Sequence, residues 1–492
     1  MAKITTVIDI GSNSMRMVVF EKSSRFGFHL INETKSRVKI SEGCYENGGN
    51  LQPVPMQRAF DALRSFLQIA KTLKSTKVLC VATSALRDAP NQKEFLNRAS
   101  TELGLKIKII EGVKEAYYGA IAAINLLDCD EFISIDIGGG STELCLAKAG
   151  DIRETVSLNI GTVRLKELYF DKNDINGARA FILSELEKLS NFKSSKIINL
   201  VGIGGTARAL SRSIIKKDKY PFDVLHGFEY EFDKNISLFD KIVEAKTTKV
   251  FEDCNIKSDR FDTIKEGTFI FKTICEFFKI QRIVTSGVGV REGVYLCDLL
   301  RTQNNKFPAN YNPSIRSLLD RFDVSEKTTS FLGVNAGAIF DALRPLHNLD
   351  DKYKKEMVVA SKLLMIGVSL NFYKHSYHAF NFILNGLDYG FSHNRRVLIA
   401  HIIKYSKKNL PKFSDLIEYD MLLPDVRTVQ WLSFMASLNI AIAQDSFLEK
   451  CYFEVEDGIV RIFTKNNHYL AKNTIAALAK PKKFEIVFME QN

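Results

Sequence analysis

VIDIGSNSMRMVVF, residues 7–20, is an apolar run that ends in Asp9, turns through small polar residues and becomes apolar again. Residues 132–147, FISIDIGGGSTELCLA, repeat this design with Asp136 in the place of Asp9. Short apolar runs bounded by glycine and serine are typical of buried strands joined by a turn. The two copies predict one strand–turn–strand device that occurs twice in the chain.

Strands and helices alternate around both copies. The apolar periodicity predicts helices over residues 54–73 and 111–126 and strands over 77–82 and 106–110. Two later stretches, NLVGIGGTARAL at 199–210 and RIVTSGVGVREGVYLCDLL at 282–300, each indicate a strand, a glycine loop and a helix. This repetition predicts two related α/β domains that face each other across a cleft.

The remainder of the chain has a different character. Residues 302–313, TQNNKFPANYNP, are polar, contain two prolines and predict a linker. From there to about residue 410 glycine turns are few and the pattern predicts mostly helices. Residues 453–463 and 484–488 predict additional strands.

The composition is that of an ordinary globular protein with an excess of basic residues. The residues are 46% hydrophobic and 25% charged, which is ordinary for a globular protein. The length of 492 residues predicts two to four domains. The opening residues contain no long apolar segment, so we expect a cytoplasmic protein without a membrane span. A formal net charge of +11 favours a polyanionic partner: polyphosphate, nucleic acid or anionic lipid. The eight cysteines form no C-x-x-C pair, which favours buried thiols over disulfides or a zinc site.

The glycine turns have the chemistry of a phosphate site. Glycine and serine turns supply backbone N–H donors at close approach, and a helix N-terminus adds a partial positive charge. A carboxylate beside such a turn repels phosphate unless a divalent cation lies between them, and Mg²⁺ prefers carboxylate and phosphate oxygens. Asp9 and Asp136 are therefore candidate ligands of Mg²⁺, although each taken alone is also explained as the structural cap of a turn. The predicted phosphate-binding residues are Ser12, Asn13, Ser14, Gly138, Gly139, Gly140, Ser141, Thr142, Gly204, Gly205 and Thr206.

The order DIGSNS, DIGGGSTEL, GIGGT and G-V-R-E-G resembles the exopolyphosphatase and guanosine pentaphosphate phosphohydrolase family. The resemblance covers roughly the first 300 residues. It implies an α/β fold of two actin- or sugar-kinase-like, ribonuclease H-like lobes at 1–126 and 127–303 with the active site in the cleft between them. A linker at 304–313 and a mainly helical, HD-like domain at 314–492 would follow.

The resemblance also implies a catalytic base. The family has a G-x-E-E-A segment whose second glutamate is the base, and EGVKEAYYGA puts Glu115 there, with Lys114 in place of the first glutamate. Independently, a glutamate in the first turn of a helix with apolar neighbours can have a raised pKa. The alternative is that Glu115 only complements the helix dipole. The presence of Lys114 in place of a glutamate removes one acidic group near the site, and Lys114 is a candidate contact to an anionic chain.

Four other residues are assigned roles with the same resemblance in mind. Glu143 is expected to help place metal or water, with a solvated strand residue as the alternative. Arg87, in ATSALRDA, is expected to clamp phosphate, which suits a planar guanidinium; the alternative is an ion pair with Asp88. Arg291 is expected to pack a helix without a catalytic role, and Arg208 is interpreted mainly as helix-surface charge, with a phosphate contact as the alternative.

The C-terminal region departs from the family pattern. The family's HD-like domain carries an LHDIG-like motif and an RYHRK-like segment, whereas this chain has LLMIG at 363–367 and KYSKK at 404–408. Metal sites of that type need several His and Asp ligands together. We therefore expect an HD-like domain without a catalytic metal that serves dimerisation and extends a basic groove. The histidines expected to be packing or surface residues are His375, His378, His393 and His401, and the lysines that are candidates for the groove, or for a solvated helix face, are Lys404, Lys407 and Lys408.

Several functions follow from these expectations. The first is an exopolyphosphatase in which Glu115 activates water and Asp136, Asp9 and Glu143 hold Mg²⁺ or another divalent cation. The second is hydrolysis of guanosine pentaphosphate to the tetraphosphate, alone or as a second activity. A regulator that binds polyphosphate or nucleotide without turnover is the third, motivated by Lys114 and the degenerate C-terminal motifs. A sugar kinase lacks a sugar-binding signature, and direct nucleic-acid binding rests on net charge alone.

Overall fold

The computed structural model describes residues 4–490, which form two compact units, one up to Tyr311 and the other from Asn312 onward. In the described range no helix combines the length and the apolar character needed to cross a membrane. The predicted boundaries at residues 126, 303 and 313 remain predictions, and each unit is described separately below.

The first unit opens with a five-stranded sheet. Its strands are β1 (Ile4–Ile10), β2 (Met15–Lys22), β3 (Phe28–Ser36), β4 (Lys77–Ala82) and β5 (Ile107–Ile109). The order is β3-β2-β1-β4-β5, with β1, β2 and β3 antiparallel and β4 and β5 parallel to β1. Its helices are α1 (Pro53–Thr72), α2 (Ser84–Arg87), α3 (Gln92–Leu103) and α4 (Gly112–Leu126). The predicted hairpin and helices are present, and β3 is an element that the sequence reading missed.

A second sheet in the same unit repeats this topology. Its strands are β6 (Phe132–Ile137), β7 (Thr142–Lys148), β8 (Asp151–Leu158), β9 (Asn199–Ile203), β10 (Glu229–Glu231) and β11 (Arg282–Thr285). Read from the opposite edge, the order is β8-β7-β6-β9-β11 with β10 added antiparallel at the end. The helices are α5 (Thr162–Leu168), α6 (Ile175–Leu186), α7 (Ser190–Ser194), α8 (Gly204–Lys217), α9 (Ile236–Val243), α10 (Thr248–Asp253), α11 (Ile264–Phe278) and α12 (Val290–Leu299). Two copies of the three-strand meander followed by parallel strands confirm the expected pair of ribonuclease H-like lobes.

Two helices tie the lobes together. Helix α4 follows the first sheet in the chain but packs on β7 and β8 of the second, and α12 packs against both α4 and β1. Close approach requires glycine at their crossing, because a Cβ at Gly293 would lie 1.9 Å from the carbonyl oxygen of Tyr118. The crossing fixes the N-terminal turn of α4, which carries Glu115, relative to both sheets.

The segment after α12 is fastened to the first unit. Asn125 donates to the Asn305 carbonyl at 2.9 Å and accepts from the Phe307 amide at 3.1 Å. The Phe307 ring lies 6.5 Å from that of Phe28, and Tyr311 packs edge-on to Phe26 at 5.6 Å. Residues 305–311, expected to be linker, therefore form a strap on this unit.

The second unit is mainly helical, as expected. Its helices are α13 (Pro313–Arg321), α14 (Glu326–Ala342), α15 (Arg344–His347), α16 (Lys352–Leu363), α17 (His375–Gly386), α18 (His393–Lys404), α19 (Phe413–Leu416), α20 (Val426–Ala443) and α21 (Tyr469–Ala476). Strands β12 (Tyr452–Glu456), β13 (Ile459–Thr464) and β14 (Glu485–Glu490) form a small sheet where strands were predicted. The centre of the unit is Trp431, which is fully buried and lies parallel to Phe484 at 5.8 Å.

Candidate active site

A cavity of about 1140 Å³ in the first unit is lined by residues of both lobes. Most of the phosphate, metal and catalytic residues expected from the sequence line it. They are Asp9, Ser12, Asn13, Ser14, Glu115, Asp136, Gly138, Gly139, Ser141, Gly204, Gly205 and Thr206. The strand ends that carry these residues are far apart in the chain, and the duplicated topology brings them to one place.

The two hairpin turns are built in the same way. The amide of Gly11 donates to the carbonyl of Ser14 at 3.3 Å, and the amide of Gly138 donates to the carbonyl of Ser141 at 2.9 Å. In both turns the aspartate precedes the glycine by two residues, so Asp9 and Asp136 end their strands at equivalent positions. This equivalence explains the repeated sequence that opens each sheet.

The two aspartates are half-buried residues that line the cavity. Burial raises the pKa of Asp9 to about 6 against the opposing effects of Arg291 and Arg16, and burial also raises the pKa of Asp136, against Arg208. Oxygen Oδ1 of Asp9 is buried without a hydrogen-bond partner. A buried carboxylate oxygen without a hydrogen-bond partner, next to a second carboxylate, is a donor set that fits a divalent cation.

Gly204 is required by its closeness to Asp136. Its φ is +80°, and a Cβ there would lie 2.1 Å from Oδ1 of Asp136. The strand β9 passes directly into α8 at this residue, so the expected glycine loop is a helix start instead. The carboxylate of Asp136 thus lies against the positive end of α8.

Glu115 lies in the first turn of α4 and is held close to Glu143. The approach depends on Gly112, where a Cβ would lie 2.3 Å from Oγ of Ser157 and 3.8 Å from Oε1 of Glu143. Ser157 donates to Oε1 of Glu143 at 2.8 Å. Oxygen Oε2 of Glu115 is buried and accepts no hydrogen bond, and Nη1 of Arg87 lies 3.7 Å away from it.

Both glutamates have a raised pKa. Burial, and then the charge of Glu143, hold the pKa of Glu115 well above its usual range, although Arg87 acts to lower it. Burial raises the pKa of Glu143 to about 7, opposed first by the hydrogen bond from Ser141. Burial and the neighbouring acid outweigh the single ion pair, because that pair is 3.7 Å long and the Glu115 side chain is only 15% exposed. A carboxylate in this setting is a stronger base than an exposed one.

Among the described residues, eight arginines and lysines line the cavity, together with nine carboxylates. Arg291 is buried and pairs with Glu33 at 2.7 Å, so it is both packed, as expected, and part of the cavity wall. Arg208 donates to the carbonyls of Gly204 and Gly287 at 2.8 and 3.1 Å, and burial lowers its pKa to about 10. The interpretation of Arg208 as helix-surface charge is wrong, because the helix face that carries it turns toward the cavity. Other basic residues on the wall, which the sequence reading missed, are Arg16, Lys35, Arg37, Lys39, Lys166 and Arg260.

One of these missed residues had a visible signal. Arg16 follows the first turn by two residues and lies opposite Asp9 in the register of β1 and β2. Glu143 lies opposite Asp136 in the register of β6 and β7 in the same way. Comparing the two hairpins residue by residue therefore places Arg16 and Glu143 at equivalent positions. The others lie outside any repeated motif, and only the fold brings them to the cavity.

Several predicted residues lie elsewhere. Arg87 is not among the described residues that line the cavity; it donates to the Ile110 carbonyl at 3.0 Å and lies behind Glu115, with Asp88 at 3.3 Å. Glu143 is 4% exposed and lies against Glu115, so the solvated alternative is wrong. The Thr142 side chain is fully buried and donates to the Ile160 carbonyl, and Gly140 is likewise not on the described wall.

Lys114 lies off the described wall of the candidate active site. Its ammonium lies 3.9 Å from the ring centre of Tyr117 and 5.0 Å from that of Tyr118, and it is not on the described cavity wall. A cation over an aromatic face is held by the ring quadrupole. The structure gives no support to Lys114 as a contact to a bound anionic chain.

The four histidines expected to be packing or surface residues vary in exposure. His393 and His401 are buried, and burial lowers the pKa of His401 to about 4. Burial also lowers the pKa of His375, while His378 packs edge-on to Tyr377. Within residues 4–490 no group of three or more His, Cys, Asp or Glu side chains is arranged to hold a metal ion.

The fold is a pair of ribonuclease H-like lobes, with a cavity lined by carboxylates, basic residues and glycine and serine turns. A family model described as the Ppx/GppA phosphatase family matches residues 18–302. The chain therefore belongs to the Ppx/GppA phosphatase family and is a phosphoanhydride hydrolase.

Individual relatives agree with this assignment. The chain is 29% identical over 300 residues to a bifunctional 3-dehydroquinate synthase/phosphatase of Fusobacterium nucleatum, covering 57% of this chain but only 44% of that protein. It is 24% identical to a guanosine-5'-triphosphate,3'-diphosphate pyrophosphatase of Pseudoalteromonas translucida, covering 94% of this chain and 92% of the relative. The crystal structure of the Aquifex aeolicus Ppx/GppA family member has 26% identity and a TM-score of 0.53, covering 62% of this chain and 99% of its own.

Proposed function

We propose that this chain removes the terminal phosphate of inorganic polyphosphate, with Glu115 as the residue that orients or deprotonates the attacking water. The observation that carries the proposal is the setting of Glu115: a carboxylate with one buried, unpartnered oxygen, on the wall of a cavity that is also lined by arginines and lysines. In-line hydrolysis of a phosphoanhydride needs a positioned water and cations that spread the developing charge. Glu115 is the candidate for positioning the water, and the arginines and lysines of the lining are candidates for spreading the charge.

The two aspartates fit a divalent cation. Asp9 has an unsatisfied buried oxygen, and both Asp9 and Asp136 have a raised pKa that a cation would reverse. When bound, Mg²⁺ would neutralise phosphate charge, and substrate and water would supply most of its ligands. Glu143 is a weaker candidate ligand, because its Oε1 accepts from Ser157 and its charge acts on Glu115.

The two hairpin turns and the basic residues of the cavity lining support a polyanionic substrate. Ser12, Ser14 and Ser141 lie on the wall at the two hairpin turns, where backbone and hydroxyl donors can meet phosphate oxygens. Arg16, Lys39 and the other cations of the lining can balance phosphate charge alongside the carboxylates that share the wall. A homodimer, with the helical unit serving dimerisation, belongs to the same proposal.

A second candidate is hydrolysis of guanosine pentaphosphate. A relative named for the guanosine-5'-triphosphate,3'-diphosphate pyrophosphatase activity aligns over 94% of this chain, including the helical unit. The bond cleaved is again a phosphoanhydride, so the same residues would serve both substrates. A regulator without turnover is a less favoured reading, since Glu115 is in place and Lys114 lies off the cavity wall.

The experiment is phosphate release in the presence of Mg²⁺ from polyphosphate, guanosine pentaphosphate and ATP. We expect release from at least one of the first two, and a loss of about 10²-fold or more in kcat for Glu115→Gln. Glu111→Gln, an exposed residue just before the same helix, is the matched control and should retain activity. Unchanged turnover in Glu115→Gln would refute the assignment of the base, and binding without release from any substrate would favour the regulator.

A further inference from the structure

The helical unit has a cavity of its own, separate from the one in the first unit. Its volume is about 390 Å³, and its lining includes Tyr377, Lys404, Tyr405, Lys407, Lys408 and Asp415. It lies where α18 ends and the following loop passes the start of α17. Sites for small molecules usually have volumes of about 300–1,000 Å³.

The charge of this cavity favours an anion. Lys404, Lys407 and Lys408 form no ion pair with a carboxylate in the part of the chain that the structure describes. The ammonium of Lys404 lies 4.6 Å from the ring centre of Phe380 instead. Asp415, the acid among the described lining residues, already accepts from the Lys412 amide at 2.8 Å.

The loop that carries two of the lysines is held by its backbone. The carbonyl of Lys407 accepts from Oγ of Ser437 at 3.0 Å, and the carbonyl of Lys408 accepts from the Ala479 amide at 2.9 Å. The main chain is therefore fixed from two sides while the ammonium groups are left without acidic partners. A fixed backbone reduces the entropy that a bound anion would have to remove.

Aromatic side chains line the same cavity. Tyr377 is 51% exposed, so its ring is accessible to a ligand in the cavity. Tyr405 lies nearly parallel to His401, and its hydroxyl donates to the Asp415 carbonyl at 3.1 Å, so its ring is held in place. Aromatic rings beside lysines are the combination that binds a base by stacking and its phosphates by charge.

We propose that this cavity binds a nucleotide, with the base on Tyr377 and the phosphates on Lys404, Lys407 and Lys408. A bare phosphate chain would use the lysines but gain nothing from the tyrosine ring. The presence of both favours a nucleoside phosphate over inorganic polyphosphate. This inference does not depend on the hydrolytic function proposed for the first unit.

The test is equilibrium dialysis of the full-length chain against radiolabelled GDP and, separately, ADP. We expect the Lys407→Ala/Lys408→Ala double variant and the Tyr377→Ala variant each to lose about tenfold or more in affinity at one site per chain, and Tyr377→Phe to retain binding. The matched control is Lys327→Ala/Lys355→Ala, which removes the same charge from two exposed positions of this unit. Binding in the cavity of the first unit is common to all variants and cancels in the comparison.

Three outcomes would overturn the proposal. The first is nucleotide binding that neither pocket variant changes while both keep the wild-type thermal unfolding profile. The second is that the lysine variant loses binding of both tripolyphosphate and nucleotides while Tyr377→Ala changes neither. That result would indicate a phosphate site without base recognition. The third is loss of oligonucleotide binding alone in these variants, which would indicate a nucleic-acid surface.

Discussion

Glu115, which is partly exposed, and Glu143, which is buried, are adjacent acids with different surroundings. Glu143 accepts a hydrogen bond from Ser157, while Oε2 of Glu115 has only the distant guanidinium of Arg87. Glu143 raises the pKa of Glu115 and Arg87 lowers it. The pair therefore determines the pH at which Glu115 becomes a base.

This arrangement predicts opposite shifts in the pH profile of kcat/KM. A base must be ionised, so activity should rise with pH through the raised pKa of Glu115. Glu143→Gln removes a negative neighbour, lowers that pKa and should move the acid limb to lower pH by about one unit. Arg87→Gln removes a cation and should move the limb to higher pH.

The measurement is phosphate release from tripolyphosphate across pH at fixed Mg²⁺. Asp88→Asn, which changes an exposed partner of Arg87, serves as the control and should leave the limb in place. Shifts in the same direction for both variants would mean that they act through structure and not through the charge at Glu115.

At the scale of the element, the paired hairpins show how one device has acquired two uses. Asp9 faces Arg16 across its hairpin, whereas Asp136 faces Glu143. The first hairpin thus adds a cation to the cavity wall, and the second adds an acid beside Glu115. The shared turn fixes the backbone, and the residue after it decides the chemistry.

Helix α4 depends on one glycine for its position. Gly112→Ala would place a methyl group against Ser157, and overpacking of this kind costs about 1–3 kcal/mol. We expect a lower free energy of unfolding and a loss of activity, because α4 must move away from β8 and carry Glu115 with it. Ser157→Gly should restore part of both in the double variant, as followed by urea unfolding and phosphate release.

A second glycine provides the control. Gly337 lies inside α14, and a Cβ there would make only ordinary contacts, 3.6 Å from Lys354 and 3.9 Å from Val358. Gly337→Ala should therefore stabilise the chain by about 0.5–1 kcal/mol through helix propensity. If Gly112→Ala behaved like Gly337→Ala, the tight crossing would not be what positions Glu115.

At the scale of the whole molecule, the cavity of the first unit is complete within that unit. All described residues that line it lie between Asp9 and Arg291. A chain ending at Tyr311 should therefore fold and hydrolyse tripolyphosphate with a kcat within about tenfold of the full-length protein, since one domain can carry its own core and site. Circular dichroism and phosphate release would test both parts.

The point of truncation matters because of the strap. A chain ending at residue 303 lacks Phe307 and Tyr311 and exposes Phe26 and Phe28, so it should unfold at lower temperature than the chain ending at Tyr311. Equal melting temperatures would show that the strap contributes nothing. Loss of all activity in the longer fragment would show that the helical unit takes part in the chemistry.

The sequence by itself determined the elements that depend on local pattern. The two hairpins, the helix that carries Glu115, the helical second unit and its late strands all follow from apolar periodicity and turn residues, which act over a few neighbours. The tertiary structure alone decided which charges meet. Arg208 turned inward, Arg87 came to lie behind Glu115, Glu143 became its buried neighbour, and Lys35 and Arg260 reached the same wall. These outcomes depend on the crossing of α4 and α12 and on the duplicated sheets, which join residues that no local pattern links.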